Sequence, residues 1–127
     1  MNRARIEQVV PKAAGEAFNH HYYVSPIDVL VGIGMLDPKD VENWRNRKVL
    51  YLEKVVKGNL SKISYAMRCF RKWAIHSNLK PSITSYMTKT RGGKQPLRFS
   101  KYGSPSVENS YRTHYIFPEL AEKKTAA

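Results

Sequence analysis

Few residue types in this 127-residue chain can exchange protons near neutral pH: four histidines (His20, His21, His76, His114) and one cysteine, Cys69. Cleaving a phosphodiester without a metal needs a group to take a proton, a group to return one, and cations beside the pentavalent phosphate. His76, His114, Tyr111 and Arg112, together with Arg98, supply those types. A metal-independent, toxin-like ribonuclease is therefore one reading of the chain. Metal chemistry has weaker support. His20 and His21 are adjacent, so on a helix or strand their rings point apart, and HExxH, Asp-x-Asp and zinc-finger spacings are all missing. No metal and no cofactor is expected. Cys69 has no second cysteine for a disulfide or a thiolate zinc cage. It reads as a half-buried thiol in a reducing, cytoplasmic setting.

Polyanion binding is the other chemistry. The formal charge is +12, from 22 Lys and Arg against 10 Asp and Glu. Between Lys54 and Val107 stand twelve cations and no acid, while the rest of the chain carries 10 of each sign. Charge held at arm's length for solubility would be scattered; charge gathered in one stretch resembles a footprint for nucleic acid. The groups expected to meet phosphates are Lys62, Arg68, Arg71 and Lys72, then Lys89, Arg91, Lys94, Arg98 and Lys101, with Arg45, Arg47 and Lys48 outside the acid-free stretch. Tyr65, Tyr86 and Tyr102 lie among them; half-buried rings with their hydroxyls in water are the plainer reading, and stacking on unpaired bases is the alternative. Gly92-Gly93 sits in a cationic turn but lacks the spacing and Lys-Ser/Thr ending of a phosphate loop.

Several elements must position these groups. Residues 3–10 and 11–19 predict two short helices meeting at Pro11. Ser25-Pro26 and Asp37-Pro38 each pair a capping residue with a proline suited to the first helical turn, which opens helices over 27–35 and 38–47. Leu50 to Val56 suggests a further helical segment ended by Gly58. Asn59 caps the best helix, 60–77. Ile63, Ala66, Met67, Phe70, Trp73 and Ala74 project within one arc of about 120°, opposite Arg68, Arg71, Lys72 and His76. Alternation after Pro81 and the turn at Arg91-Gly92-Gly93-Lys94 predict a β-hairpin over 83–101, and Ser104-Pro105 opens a last helix over 105–115. Residues 118–127 read as a frayed tail, leaving 1–117 as one domain. The expected class is α+β, a mainly helical single domain with one hairpin. No stretch of about 18 apolar residues predicts a membrane span, and the first residues carry no secretory signal pattern.

Two resemblances bear on this. Residues 25–53, helix, tight turn, helix and then Trp44-Arg45-Asn46-Arg47-Lys48, are similar to a phage-repressor-type helix-turn-helix, although Asp37, Asp40 and Glu42 stand where a reading helix would approach phosphate. Ser25-Pro26-Ile27-Asp28-Val29-Leu30, Leu79-Lys80-Pro81-Ser82, Leu97-Arg98-Phe99-Ser100-Lys101 and Tyr111-Arg112-Thr113-His114-Tyr115 resemble a family of small uncharacterised bacterial proteins across residues 22–117. That resemblance implies a bacterial, cytoplasmic setting and no particular chemistry. The sequence thus favours a nucleic-acid binder that meets DNA or RNA through phosphates. The ribonuclease, and an interaction protein whose partner has an acidic surface, are the alternatives.

Overall fold

The computed structural model describes residues 1–118. The predicted frayed tail lies almost wholly outside the described residues. Asn2 opens the first element by accepting from the backbone N–H of Arg5 at 2.9 Å. Helix α1 then runs unbroken over Arg3–His21, with Pro11 inside it, where the sequence predicts two helices. A proline removes one backbone hydrogen bond and crowds the preceding turn, a cost of about 3 kcal/mol. Tertiary packing offsets it: Ile6, Val10, Ala13 and Ala14 form a buried stripe against helices α2 and α4.

Helix α2 (Pro26–Gly32) starts in a full capping box. The Ser25 hydroxyl accepts from Asp28 N–H at 3.1 Å, and the Asp28 carboxylate accepts from Ser25 N–H at 3.0 Å. Gly32 lets α2 approach α1 closely, since a Cβ there would stand 2.7 Å from that of Ala13. Helix α3 (Pro38–Arg45) is capped by Asp37 and buries Trp44. The expected helix over 50–56 is reduced to a 3₁₀ turn at Leu52–Lys54. Helix α4 (Leu60–His76) is capped by Asn59 and buries Ile63, Ala66, Met67, Phe70 and Ala74, as the periodicity predicts. Asn78 follows in the left-handed region and turns the chain.

The β structure departs from the sequence reading in its bounds and in its number of sheets. The hairpin exists, but its strands are β3 (Met87–Thr90) and β4 (Gly93–Pro96), joined through Arg91-Gly92. A separate three-stranded antiparallel sheet has the order β1-β5-β2, from Tyr23–Val24, Thr113–Ile116 and Lys80–Ile83. Helix α5 (Pro105–Arg112) therefore ends earlier than predicted, and the chain turns directly into β5. Ile83 pairs with Thr113 of that sheet rather than with the hairpin. Backbone pairing partners 30 residues apart leave no local pattern to read.

Residues 97–100 thread the core without joining a strand. Phe99 is fully buried among Trp44, Tyr86 and Tyr111, at centroid distances of 4.9, 5.2 and 5.1 Å. The Trp44 indole N–H donates to the Arg98 carbonyl at 2.7 Å. Glu108, only 4% exposed, accepts from Phe99 N–H at 3.0 Å, and from Ser100 N–H and the Ser100 hydroxyl at 2.8 Å each. Arg112 completes its surroundings at 3.8 Å. These bonds fix the backbone of Arg98 and Lys101 while both side chains stay in solvent. No helix among the described residues is long and apolar enough to cross a membrane.

Candidate functional site

The carboxylates explain the availability of the cations. Glu7 accepts from the Tyr65 hydroxyl, Asp28 and Asp37 cap helices, Glu53 accepts from the Tyr111 hydroxyl at 2.7 Å, and Glu108 holds residues 99–100. Neutral donors thus occupy half of the ten acids. Among the described residues the one ion pair is Arg112 with Glu108. None of the cations from Lys54 to Lys101 is paired with a carboxylate of the described chain.

Nine of those cations, joined by Arg45, Arg47 and Lys48, fall into two groups, while Lys54, Lys57 and Lys80 are exposed on other segments. On α4, Arg68, Arg71 and Lys72 are exposed, because the opposite face of the helix packs on α1 and α2. Lys62, in the first turn of the helix, is half-buried. Arg71 borders a cleft of about 200 Å³ toward α5, with Ser106, Ser110 and Tyr111. Tyr65 is not open for base stacking: the Arg3 guanidinium covers its ring at 5.0 Å, and its hydroxyl ties α4 to Glu7 of α1. That hydrogen bond pushes the phenol up to about 12. Cys69 is half-buried as expected, and burial raises its thiol above the ordinary value.

The second group gathers where the end of α3 meets the hairpin. Arg45 and Lys94 line a cleft of about 480 Å³ with Tyr23, Asp28, Tyr86 and His114. Arg47 and Arg98 line a neighbouring one of about 280 Å³ with Leu50 and Pro96. Lys89 and Lys94 stand directly opposite each other across the hairpin. Like charges in that register are destabilising by a fraction of a kcal/mol, which the fold keeps. Arg47 adopts φ 63° just after α3, where its N–H bonds to the Trp44 carbonyl and Lys48 N–H bonds to the Asn43 carbonyl. That pattern ordinarily places glycine at the left-handed position; an arginine there costs about 1 kcal/mol. Lys48, Arg91 and Lys101 are exposed, and Lys101 lies over Tyr102, itself 87% exposed.

Of the catalytic candidates, Tyr111 is buried with its hydroxyl on Glu53 and Arg112 faces Glu108, whereas His76 is exposed at the end of α4. His114 lines the larger cleft, with its Nε2 2.6 Å from the Tyr86 hydroxyl and its ring parallel to Tyr23 at 5.6 Å. Tyr86 is more buried than the half-buried position expected and offers no open face for stacking, and burial pushes its phenol up to about 12. Tyr23 is the aromatic that sequence reasoning missed; only its pairing with Ile116 brings it beside His114. No set of three or more His, Cys, Asp or Glu among the described residues is arranged to hold a metal ion. Compared with known protein families, curated proteins and solved structures, the chain finds no match.

Proposed function

We propose that this chain binds nucleic acid, DNA or RNA, in the cytoplasm, through phosphate contacts made by the outer face of α4 and by the cationic rim where α3 meets the hairpin. One observation carries the reading. From Lys54 to Lys101 the chain presents twelve cations, none paired with a carboxylate of the described residues, while five acids are occupied by hydroxyl and backbone donors. Leaving so many like charges uncompensated costs self-repulsion, which a polyanion relieves by releasing its own counterions on binding. The opposed Lys89 and Lys94 and the strained Arg47 add to this. Each retains a cation where a neutral residue or glycine would stabilise the fold.

The test is binding of fluorescently labelled nucleic acid by the wild type and by a variant carrying Arg68→Glu, Arg71→Glu and Lys72→Glu. All three positions are exposed, so thermal unfolding should be unchanged within a few degrees and binding should be lost. Retained binding would remove α4 from the interface. An acidic protein partner predicts co-purified protein without absorbance at 260 nm. A ribonuclease predicts shortening of labelled RNA that His114→Ala abolishes.

A further inference from the structure

We infer that the cleft between β1, α2, the end of α3 and the hairpin seats one unpaired nucleotide, so that the protein prefers single strands to duplexes. This rests on the nucleic-acid reading above and names the part of the ligand that the cleft takes. The cavity, about 480 Å³, lies in the range of about 300–1,000 Å³ typical of small-ligand sites. Three rings stand in its wall: Tyr23, 38% exposed, is stacked on His114 and, at 5.2 Å, on His21, leaving its exposed edge toward solvent, and Tyr86 closes on the His114 ring at a centroid distance of 5.7 Å. Its rim is cationic. Arg45 is held over the Tyr86 ring at 5.3 Å, and Lys94 approaches from the hairpin. Asp28 is the one carboxylate in the lining, and it accepts from Ser25 N–H. A ring beside a polar lining, with a forked cation at its edge, matches a base, whose own edge is polar, beside its phosphate. Cations alone would hold a duplex equally well, but a base inside a duplex must leave the stack before it can enter such a cleft, at a cost of a few kcal/mol. That difference favours strands whose bases are already free.

The measurement is affinity for a twelve-nucleotide single strand, for the duplex of the same length, and for a nucleoside monophosphate. Four proteins are compared: wild type, Tyr23→Ala, Tyr23→Phe, and the Arg45→Gln/Lys94→Gln double variant. Stacking of one base is worth about 1–3 kcal/mol, so Tyr23→Ala should weaken single-strand binding about ten- to a hundredfold. Tyr23→Phe should retain it, and the double variant should lose about tenfold. Duplex affinity should change less than threefold for the two Tyr23 variants, while the double variant, which removes two phosphate contacts, should weaken duplex and single strand alike. Measurable monophosphate binding, lost in the same variants, would also support the cleft as the seat. Equal losses for single strand and duplex in Tyr23→Ala, or no loss in either, would overturn the inference. If the α4 charge reversal still abolished binding while the cleft variants behaved as wild type, the cleft would fall and the phosphate reading would stand. If neither set altered binding, both would fall.

Discussion

On α4 the cations are a by-product of amphipathicity. The inner face buries Ile63, Met67 and Phe70, so Arg68, Arg71 and Lys72 are turned outward by the helical repeat alone. At the cleft, Arg45 and Lys94 come from segments 49 residues apart in sequence. They meet only because Trp44, Phe99 and Glu108 fix the chain between the hairpin and α3. The helix face is robust and shallow. The cleft is concave and chemically richer, and it depends on a few buried polar bonds. Such a division suits a protein that grips backbone in one place and reads shape in another.

The largest effect separating the two regions should come from Glu108. Its carboxylate satisfies three buried donors, so Glu108→Ala should cost about 3 kcal/mol in chemical denaturation. Hydrogen exchange should accelerate at residues 97–101 well before it does in α4. Uniform acceleration would mean that the two regions do not differ in what supports them. Trp44→Phe comes next. It removes the bond to the Arg98 carbonyl but keeps a ring, and should cost about 1–3 kcal/mol. Asn59→Ala is its counterpart on the helix side. Loss of that cap should cost about 1 kcal/mol, seen as fraying of the first turn of α4 and leaving the cleft intact.

Arg47→Gly should move stability and binding in opposite directions. Relief of the left-handed arginine should stabilise the fold by about 0.5–1 kcal/mol, while one cation is lost from the rim. A destabilised variant would show that the Arg47 side chain contributes more to packing than its backbone costs. Alkaline pH should affect both regions alike. Tyr65 on the helix side and Tyr86 at the cleft are neutral in the fold up to about 12, against about 10 when unfolded. Between those values the native state holds protons that the unfolded state has released, so stability is fully present below pH 10 and falls as pH rises toward 12. Urea melts at pH 9, 10 and 11 measure this, and a flat response would contradict it.

The helix side was largely legible in the sequence because its information is local. Asn59, the repeat of apolar residues and Asn78 lie within 20 residues and define α4 almost to its last turn. Capping pairs at Ser25-Pro26 and Asp37-Pro38 were readable for the same reason. Pro11 misled because a local breaker was overridden by distant packing on α2 and α4. The three-stranded sheet was hidden because β1 has two residues and its partner β5 is some 90 residues away. The cleft followed the sheet: Tyr23 is part of an unremarkable run of polar aromatics until β5 places His114 beside it. Of the predicted site residues, those on α4 needed only the helical period. Arg45 and Lys94 needed the whole fold before their proximity had meaning.

The quantity that decides whether these unpaired cations act on phosphates is the dependence of binding on salt. With about six groups engaged, log affinity against log salt between 50 and 300 mM should fall with a slope near −5 for duplex and near −4 for a single strand. An affinity that stays flat across that range would contradict a polyanion partner for this charge.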